Sequence, residues 1–360
     1  MYVVKSQNEP YKGIIYAKSG TGKTNQAASS QDHPQMKNVL FANVEGGLIT
    51  VAYRGDIWAE DIKHAPQLEE LHDKLANGDP KYKEVRTLVI DSGTALQERN
   101  IEDIVRRQAE IHRRRYGKRS DFIPRSLNDV WQEDWGESTT ELSRIFRMCY
   151  DLPMNVILTC LPRYTYGKAA QGEQAQPIEV SPGLTPKLRD AVGGYFDFVW
   201  YMYKDAQGTQ RHLLTEERGV YRAKTRCIPF AEYLGPVIDV PLYGNMPEIY
   251  DMFNGILSGK LKMDDKRRRY LAERFGSDLE IDEEDDEDEP DTEEDVEDEE
   301  DEEDEEEDEE EEEGTPETND QPQRIRPAAA APSGAAAAPD AVRRDRERPP
   351  AQSRDARPAR

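Results

Sequence analysis

The sequence predicts an α/β fold: a mostly parallel β-sheet with helices on both faces, an antiparallel extension towards its C-terminal side, and a long tail that stays disordered. Three observations carry that expectation. Short apolar runs alternate with helical stretches over the first 160 residues, the pattern of a sheet covered on both sides. A small-residue turn of the kind that wraps phosphates joins the first run to the first helix. Near residue 278 the composition turns abruptly acidic, with too little apolar surface to build a core.

Taken in order, residues 12–17 are the first strand, and residues 23 to about 29 the first helix. Residues 38–43 make a second strand, and 67–75 a helix with Leu68, Leu71 and Leu75 on one face. The third strand is expected at 86–91, followed by a long helix from 95 to about 114. A helix at 139–149 leads into a fourth strand at 155–159. These strands are apolar throughout rather than alternating, as parallel strands buried on both faces are. Residues 197–203, 211–215 and 220–224 follow one another closely, with Asp205-Ala206-Gln207-Gly208 as a turn, and read as the antiparallel extension.

The chain has 360 residues and a net charge of −26, but the charge is not spread evenly. Residues 278–313 hold 31 acids in 36 positions with no Lys or Arg, and residues 314–360 carry nine Arg against six acids. Residues 1–277 are therefore near neutral, at +2. The expected organisation is one large α/β domain over residues 1–258, a basic helix at 259–277, a disordered acidic tail over 278–313 and a disordered Pro/Ala/Arg-rich tail over 314–360. Cys149, Cys160 and Cys227 lack paired or metal-ligand spacing, which suits a reducing cytoplasm. No apolar run is long enough to span a bilayer and no signal peptide is evident, so a cytoplasmic protein with no membrane partner is expected.

The turn Ala17-Lys18-Ser19-Gly20-Thr21-Gly22-Lys23-Thr24 is where chemistry enters. A buried strand, a tight small-residue turn and Gly-Lys-Thr opening a helix make a P-loop. Main-chain N–H groups through Ser19, Gly20, Thr21, Gly22, Lys23, Thr24 and Asn25 can wrap a nucleotide's phosphates. Lys23 would reach the β- and γ-phosphates and the Thr24 hydroxyl would hold Mg²⁺, so ATP and Mg²⁺ are the expected cofactors. The usual first glycine is Ala17, which is tolerated if φ there is negative. Asp91 closes the third strand, where a second Mg²⁺-holding group belongs, though Asp at a strand end also serves as a helix cap. Glu45 follows the second strand to the same edge, ahead of Gly46-Gly47. It can activate the water that attacks the γ-phosphate, or be a solvated loop acid.

Phe41-Ala42-Asn43-Val44-Glu45-Gly46-Gly47-Leu48 resembles the segment of RecA-like recombinases in which a strand ends in the catalytic glutamate. Thr87-Leu88-Val89-Ile90-Asp91-Ser92 followed by Ala95-Leu96 resembles their metal-acid strand, and Tyr221-Arg222-Ala223-Lys224-Thr225-Arg226 the Lys-x-Arg of RecA-like ring helicases. The set is similar to phage-type, single-domain RecA-like ATPases over roughly residues 10–230. The resemblance implies a RecA-like P-loop NTPase fold, ATP hydrolysis, and single-strand annealing or recombination in a host-cell cytoplasm. It also implies a homo-oligomer in which Lys224 and Arg226 reach a neighbour's γ-phosphate; on the residues alone they are equally a basic edge strand. Those relatives carry a polar sensor after the fourth strand. This chain has Cys160-Leu161-Pro162 there, with Thr159 or Arg163 as substitutes.

Three basic patches are candidate DNA contacts or ordinary solvated faces: Arg113-Arg114-Arg115-Tyr116-Gly117-Lys118-Arg119, Arg163-Tyr164-Thr165-Tyr166-Gly167-Lys168, and residues 260–274. Single-stranded DNA is the expected partner. The acidic tail can compete with DNA for these patches, recruit a single-strand-binding or other recombination protein, or simply solubilise. The alternative to an ATPase is a nucleotide-dependent binding module with little hydrolysis, and a small-molecule kinase is a weaker third reading.

Overall fold

A computed structural model describes residues 9–119, 123–167 and 176–276. Lys168 and both tails lie outside the described residues. The chain runs β1 (Lys12–Tyr16), α1 (Lys23–Ala28), β2 (Val39–Asn43), β3 (Trp58–Asp61), α2 (Ala65–Ala76), β4 (Thr87–Asp91), α3 (Gly93–Tyr116), α4 (Gln132–Asp151) and β5 (Asn155–Cys160). It continues through a hairpin, β6 (Pro162–Tyr166) and β7 (Pro177–Pro182), then α5 (Pro186–Tyr195), β8 (Phe198–Lys204), β9 (Arg211–Leu214) and β10 (Lys224–Thr225). The last elements are α6 (Ile228–Leu234), β11 (Val237–Val240), α7 (Met246–Leu257) and α8 (Asp265–Phe275).

The main sheet has the order β11-β9-β8-β1-β5-β4-β2-β3, with β10 also beside β8. From β3 across to β8 every neighbouring pair is parallel, and only β9, β10 and β11 run against their neighbours. The P-loop strand β1 thus lies at the centre, and β5 separates it from β4, which carries Asp91. All six parallel strands end at one edge, which collects whatever their last residues carry.

Two apolar layers hold helices to the sheet. Alternation along β1 sends Ile14 and Tyr16 into one layer with α2, α4 and α5, and Ile15 into the other with α1, α6 and α7. Ile14, Ile15, Phe41 and Leu88 are each at most 1% exposed. Full burial of such a side chain is worth about 1.5–3 kcal/mol. Beneath β1 the Lys12 ammonium is buried and donates to the Leu152 carbonyl at 2.5 Å, and burial pushes its pKa down to about 8.

Four readings of the sequence need correction or extension. The stretch at 197–203 opens the antiparallel extension, pairing against β9 and β10, but β8 is also the last strand of the parallel set, because on its other side it pairs in parallel with β1. A parallel neighbour requires a crossover, and α5 supplies it; Pro at its start and Gly193-Gly194 near its end hide it in the sequence. Of 220–224, only Lys224 joins the β8 ladder. Tyr221 makes an isolated bridge to Val180 of β7. Three strands have no clear signal in the sequence: β3, whose residues are half or fully exposed, β7 in a polar stretch, and β11. The first basic patch is largely helical, since Arg113, Arg114 and Arg115 form the last turn of α3, where cations favour the helix dipole.

α3 and α4 form an antiparallel pair. Asn100 bonds Glu141 at 3.0 Å, Arg107 and Gln108 share Glu137, and the rings of His112 and Trp131 meet at 6.3 Å. The basic helix α8 is seated on the domain by buried Leu271, while Arg267 donates to the Tyr233 and Leu234 carbonyls and Arg274 to Asp239. Two of its cations are therefore already engaged.

Burial pushes the Cys149 and Cys160 thiols up to about 12, whereas Cys227 is half-buried. From the unfolded thiol value near 9 up to about 12 the unfolded chain loses these protons first, so the two cysteines lower stability as pH rises across that window. A thiol reagent at pH 8 should modify Cys227 alone in the native protein and all three cysteines in denaturant; fast native reaction at Cys149 or Cys160 would contradict the buried setting.

Candidate functional site

β1 is buried along its whole length, and the Ala17 N–H continues its ladder by donating to the Cys160 carbonyl at 3.1 Å. Asn38 is the one non-glycine residue with positive φ among the described residues, so Ala17 keeps an ordinary backbone. The loop then turns through Gly20 (φ 73°) and Gly22 (φ 113°). A side chain at Gly22 would be strained at that φ and would meet Arg211 Nε at 3.1 Å. Thr21 closes the turn through its hydroxyl to the Lys18 carbonyl at 2.8 Å.

Lys23, 8% exposed, folds its ammonium into the loop and donates to the Ala17 carbonyl at 3.0 Å. Burial lowers its pKa, while the charges of Glu45 and then Asp91 pull the other way, so both carboxylates flank the ammonium. Thr24 Oγ1 donates to Asp91 Oδ2 at 3.0 Å, and Thr159 Oγ1 donates to Asp91 Oδ1 at 2.5 Å. The main-chain carbonyl of Asp91 accepts from the N–H groups of Val44 and Glu45 at 2.8 and 3.0 Å, fixing the Glu45 backbone against the end of β4. The Asp91–Ser92 peptide is cis, and Ser92 caps α3 through the Ala95 N–H. The Glu45 side chain is exposed.

Residues 9–227 match the family described as an AAA domain. The chain belongs to that family. It is a P-loop, AAA-type ATPase domain, and the match runs from before β1 to just past β10. No curated protein matches the chain.

The AAA domain brings Lys23, Thr24, Asp91 and Glu45 to one edge, together with Ser19, Gly20, Thr21, Gly22 and Asn25. It does not bring Lys224 and Arg226 there. β10 pairs with Val199 and Phe198 at the start of β8, level with Gly13, roughly 13 Å of strand below the loop. Lys224 Nζ donates to the Gly193 carbonyl at 2.5 Å, and Arg226 to Gly194, to the Tyr195 carbonyl at 3.3 Å and to Asp197 at 3.1 Å. Both close the C-terminal end of α5, whose last carbonyls attract cations.

Three contributors to the site have no signal in the sequence. Arg211 of β9 donates to the Thr21 carbonyl at 2.8 Å and ties the P-loop to the antiparallel strands. Tyr53 and Tyr243, both exposed, meet at 5.8 Å between ring centroids, and the Tyr53 hydroxyl lies 3.5 Å from Asn25 Oδ1 on the first turn of α1. Arg54 steadies this pair through a bidentate bond to Asp32 at 2.8 and 3.0 Å. No local motif announces contacts that cross 28 to 190 residues of chain.

The donor set suits Mg²⁺, a hard ion that takes a hydroxyl and a carboxylate and leaves its other positions to phosphate oxygens and water. Among the described residues no group of three or more His, Cys, Asp or Glu converges elsewhere as a metal site. None of the described helices is long and apolar enough to cross a membrane.

Thr159→Val removes one donor from Asp91 with little change of shape. A hydrogen bond to a charged group is worth about 1.5–3 kcal/mol, so nucleotide affinity in Mg²⁺ should fall at least about tenfold while affinity in EDTA holds. Equal losses in both conditions would instead assign Thr159 to the support of the loop.

Proposed function

We propose that this protein hydrolyses Mg²⁺-ATP and couples that cycle to single-stranded DNA, as an oligomer acting in strand annealing or recombination. The observation that carries the ATPase reading is the joined set at the sheet edge. Thr24 and Asp91 are 3.0 Å apart at the mouth of the loop, and Glu45 is anchored beside them by its N–H on the Asp91 carbonyl. The loop N–H groups and Lys23 hold the β- and γ-phosphates, and Thr24 and Asp91 hold the metal, which when bound neutralises phosphate charge. Glu45, exposed and beside the ammonium, orients and deprotonates the attacking water. Tyr53 and Tyr243, at the first turn of α1, offer the nucleobase an aromatic clasp.

Lys224 and Arg226 point away from their own loop, so any contact they make with a γ-phosphate comes from a neighbouring subunit. The DNA part of the reading rests on cations beside aromatic rings, among them Arg163, Tyr164 and Tyr166 on β6. A binding module with little turnover is the second reading. It is favoured by the end of β5, where Thr159 is committed to Asp91 and Cys160 is buried, which leaves no free polar group on that strand for the phosphate.

Phosphate release from Mg²⁺-ATP, with and without oligo-dT, tests the proposal. Wild type should turn over faster with DNA. Glu45→Gln should bind nucleotide normally and release phosphate at least about 100-fold more slowly, the usual scale for a positioned base. Lys23→Ala should bind neither substrate nor product well. Normal binding with a flat trace in every condition would move the assignment to the binding module.

For the neighbour's fingers, Arg226→Ala should abolish turnover only in samples that assemble. Unchanged turnover in an assembled sample would remove Arg226 from the site.

A further inference from the structure

Residues 18–21 of the P-loop form one wall of a cleft of about 860 Å³ that extends away from Thr24, Asp91 and Glu45, none of which lines it. Its other walls are the C-terminal half of β8 and the turn at residues 218–221. Tyr201 is stacked at 4.6 Å on Tyr221 and at 5.9 Å on Tyr203, with interplanar angles of 18° and 12°. Tyr203 and Tyr221 are half-buried. The aromatic row continues outward onto β6, where the Lys18 ammonium sits 5.8 Å over the Tyr164 ring and Tyr164 stacks on Tyr166 at 6.4 Å.

The charges around this row are all of one sign. Lys18, Lys204 and Arg218 line the cleft, all exposed, and no Asp or Glu does. Many of the domain's other cations are spent on carboxylates or carbonyls, such as Arg54 on Asp32, Arg144 on Glu69 and Arg189 on Glu179. Lys18, Lys204 and Arg218 have no carboxylate partner among the described residues. Flat aromatic faces in series, flanked by unneutralised cations, are the two components that bind single strands without reading sequence: rings stack on bases, and cations replace the counterions of the phosphates.

We propose that this cleft, bounded by Lys18, Tyr203, Lys204, Arg218 and Tyr221, seats the bases and phosphates of single-stranded nucleic acid against the back of the P-loop. The inference rests on the DNA reading above and gives it a location distinct from the tip of α3 and from α8. It also gives DNA a direct mechanical hold on the ATP site. Residues 18–21 are at once the cleft wall and the phosphate cradle, and Arg211 clamps Thr21 from the strand beside β8.

The test uses the full chain and fluorescently labelled oligo-dT, with anisotropy read at several salt concentrations. Lys204→Ala combined with Arg218→Ala alters two exposed side chains and should weaken DNA binding at least about tenfold. It should lower the slope of log affinity against log salt by about 1.4, since each single-strand phosphate that is no longer neutralised removes about 0.7. Affinity for a fluorescent ADP analogue should not change. Tyr203→Ala should cost about tenfold through weaker stacking. Photocrosslinking with 5-iodouracil DNA, mapped by mass spectrometry, should mark Tyr203 or Tyr221. Wild-type DNA binding by the double variant, or crosslinks confined to α3, α4 and α8, would overturn the cleft and leave the DNA reading standing. Loss of ADP affinity in place of DNA affinity would give the cleft to the nucleotide and overturn the proposal. If wild type binds no oligo-dT at all, the DNA reading falls and the cleft with it.

Discussion

The Asp91 carboxylate is the constraint on which the upper edge of the sheet depends. It is 3% exposed, and a carboxylate in that setting is costly unless its oxygens find donors. One oxygen is held by Thr24 from α1 and the other by Thr159 from β5. The same residue's carbonyl takes two N–H groups from the segment after β2. One position therefore ties together the P-loop helix, the two strands beside it and the loop that carries Glu45. Any element that shifted would leave a buried polar atom unpaired, so the cost of misplacement falls on the geometry that binds phosphate.

Strand direction does the rest of the positioning. With β1, β2, β4, β5 and β8 parallel, their last residues meet at one edge and no long loop is needed to gather them. The antiparallel strands work differently. β9 begins beside the P-loop, which lets Arg211 reach Thr21, whereas β10 meets β8 at its first residues and puts Arg226 at the opposite edge. The same reversal that stabilises the loop from within the chain excludes Lys224 and Arg226 from their own phosphate site. That leaves them two uses, closing α5 or serving another subunit.

β1, β2, β4 and β5 were legible because burial on both faces forces an unbroken apolar run, as in Leu88-Val89-Ile90, and the P-loop because only glycine suits Gly22. Asp91 and Glu45 were legible by their place at the ends of such runs. What hid from the sequence did so for physical reasons. β3 is an edge strand and keeps Glu60 and Asp61 partly in water, so its pattern is that of a loop. α5 begins with proline and ends near two glycines, both signals of a turn. Arg211, Tyr53 and Tyr243 reach the site from remote parts of the chain, and neither spacing nor period marks such contacts.

Charge was the weakest guide, because net charge does not say which cations are available. The arginines at the end of α3 sit where a helix C-terminus already rewards positive charge, and Arg114 is further committed to Glu110. On α8, Arg267 and Arg274 are spent on the domain's own carbonyls and on Asp239. Lys18, Lys204 and Arg218 are different: they stand around aromatic faces and have no carboxylate among the described residues to neutralise them. A cation left unpaired costs little at an exposed position, so exposure alone explains one such residue. Three around one tyrosine stack, against the wall of the phosphate loop, form a surface whose charge is satisfied only from outside the domain. The strand proposed for the cleft would meet that charge with its phosphates and the rings with its bases, so added salt would weaken the first contribution and leave the stacking.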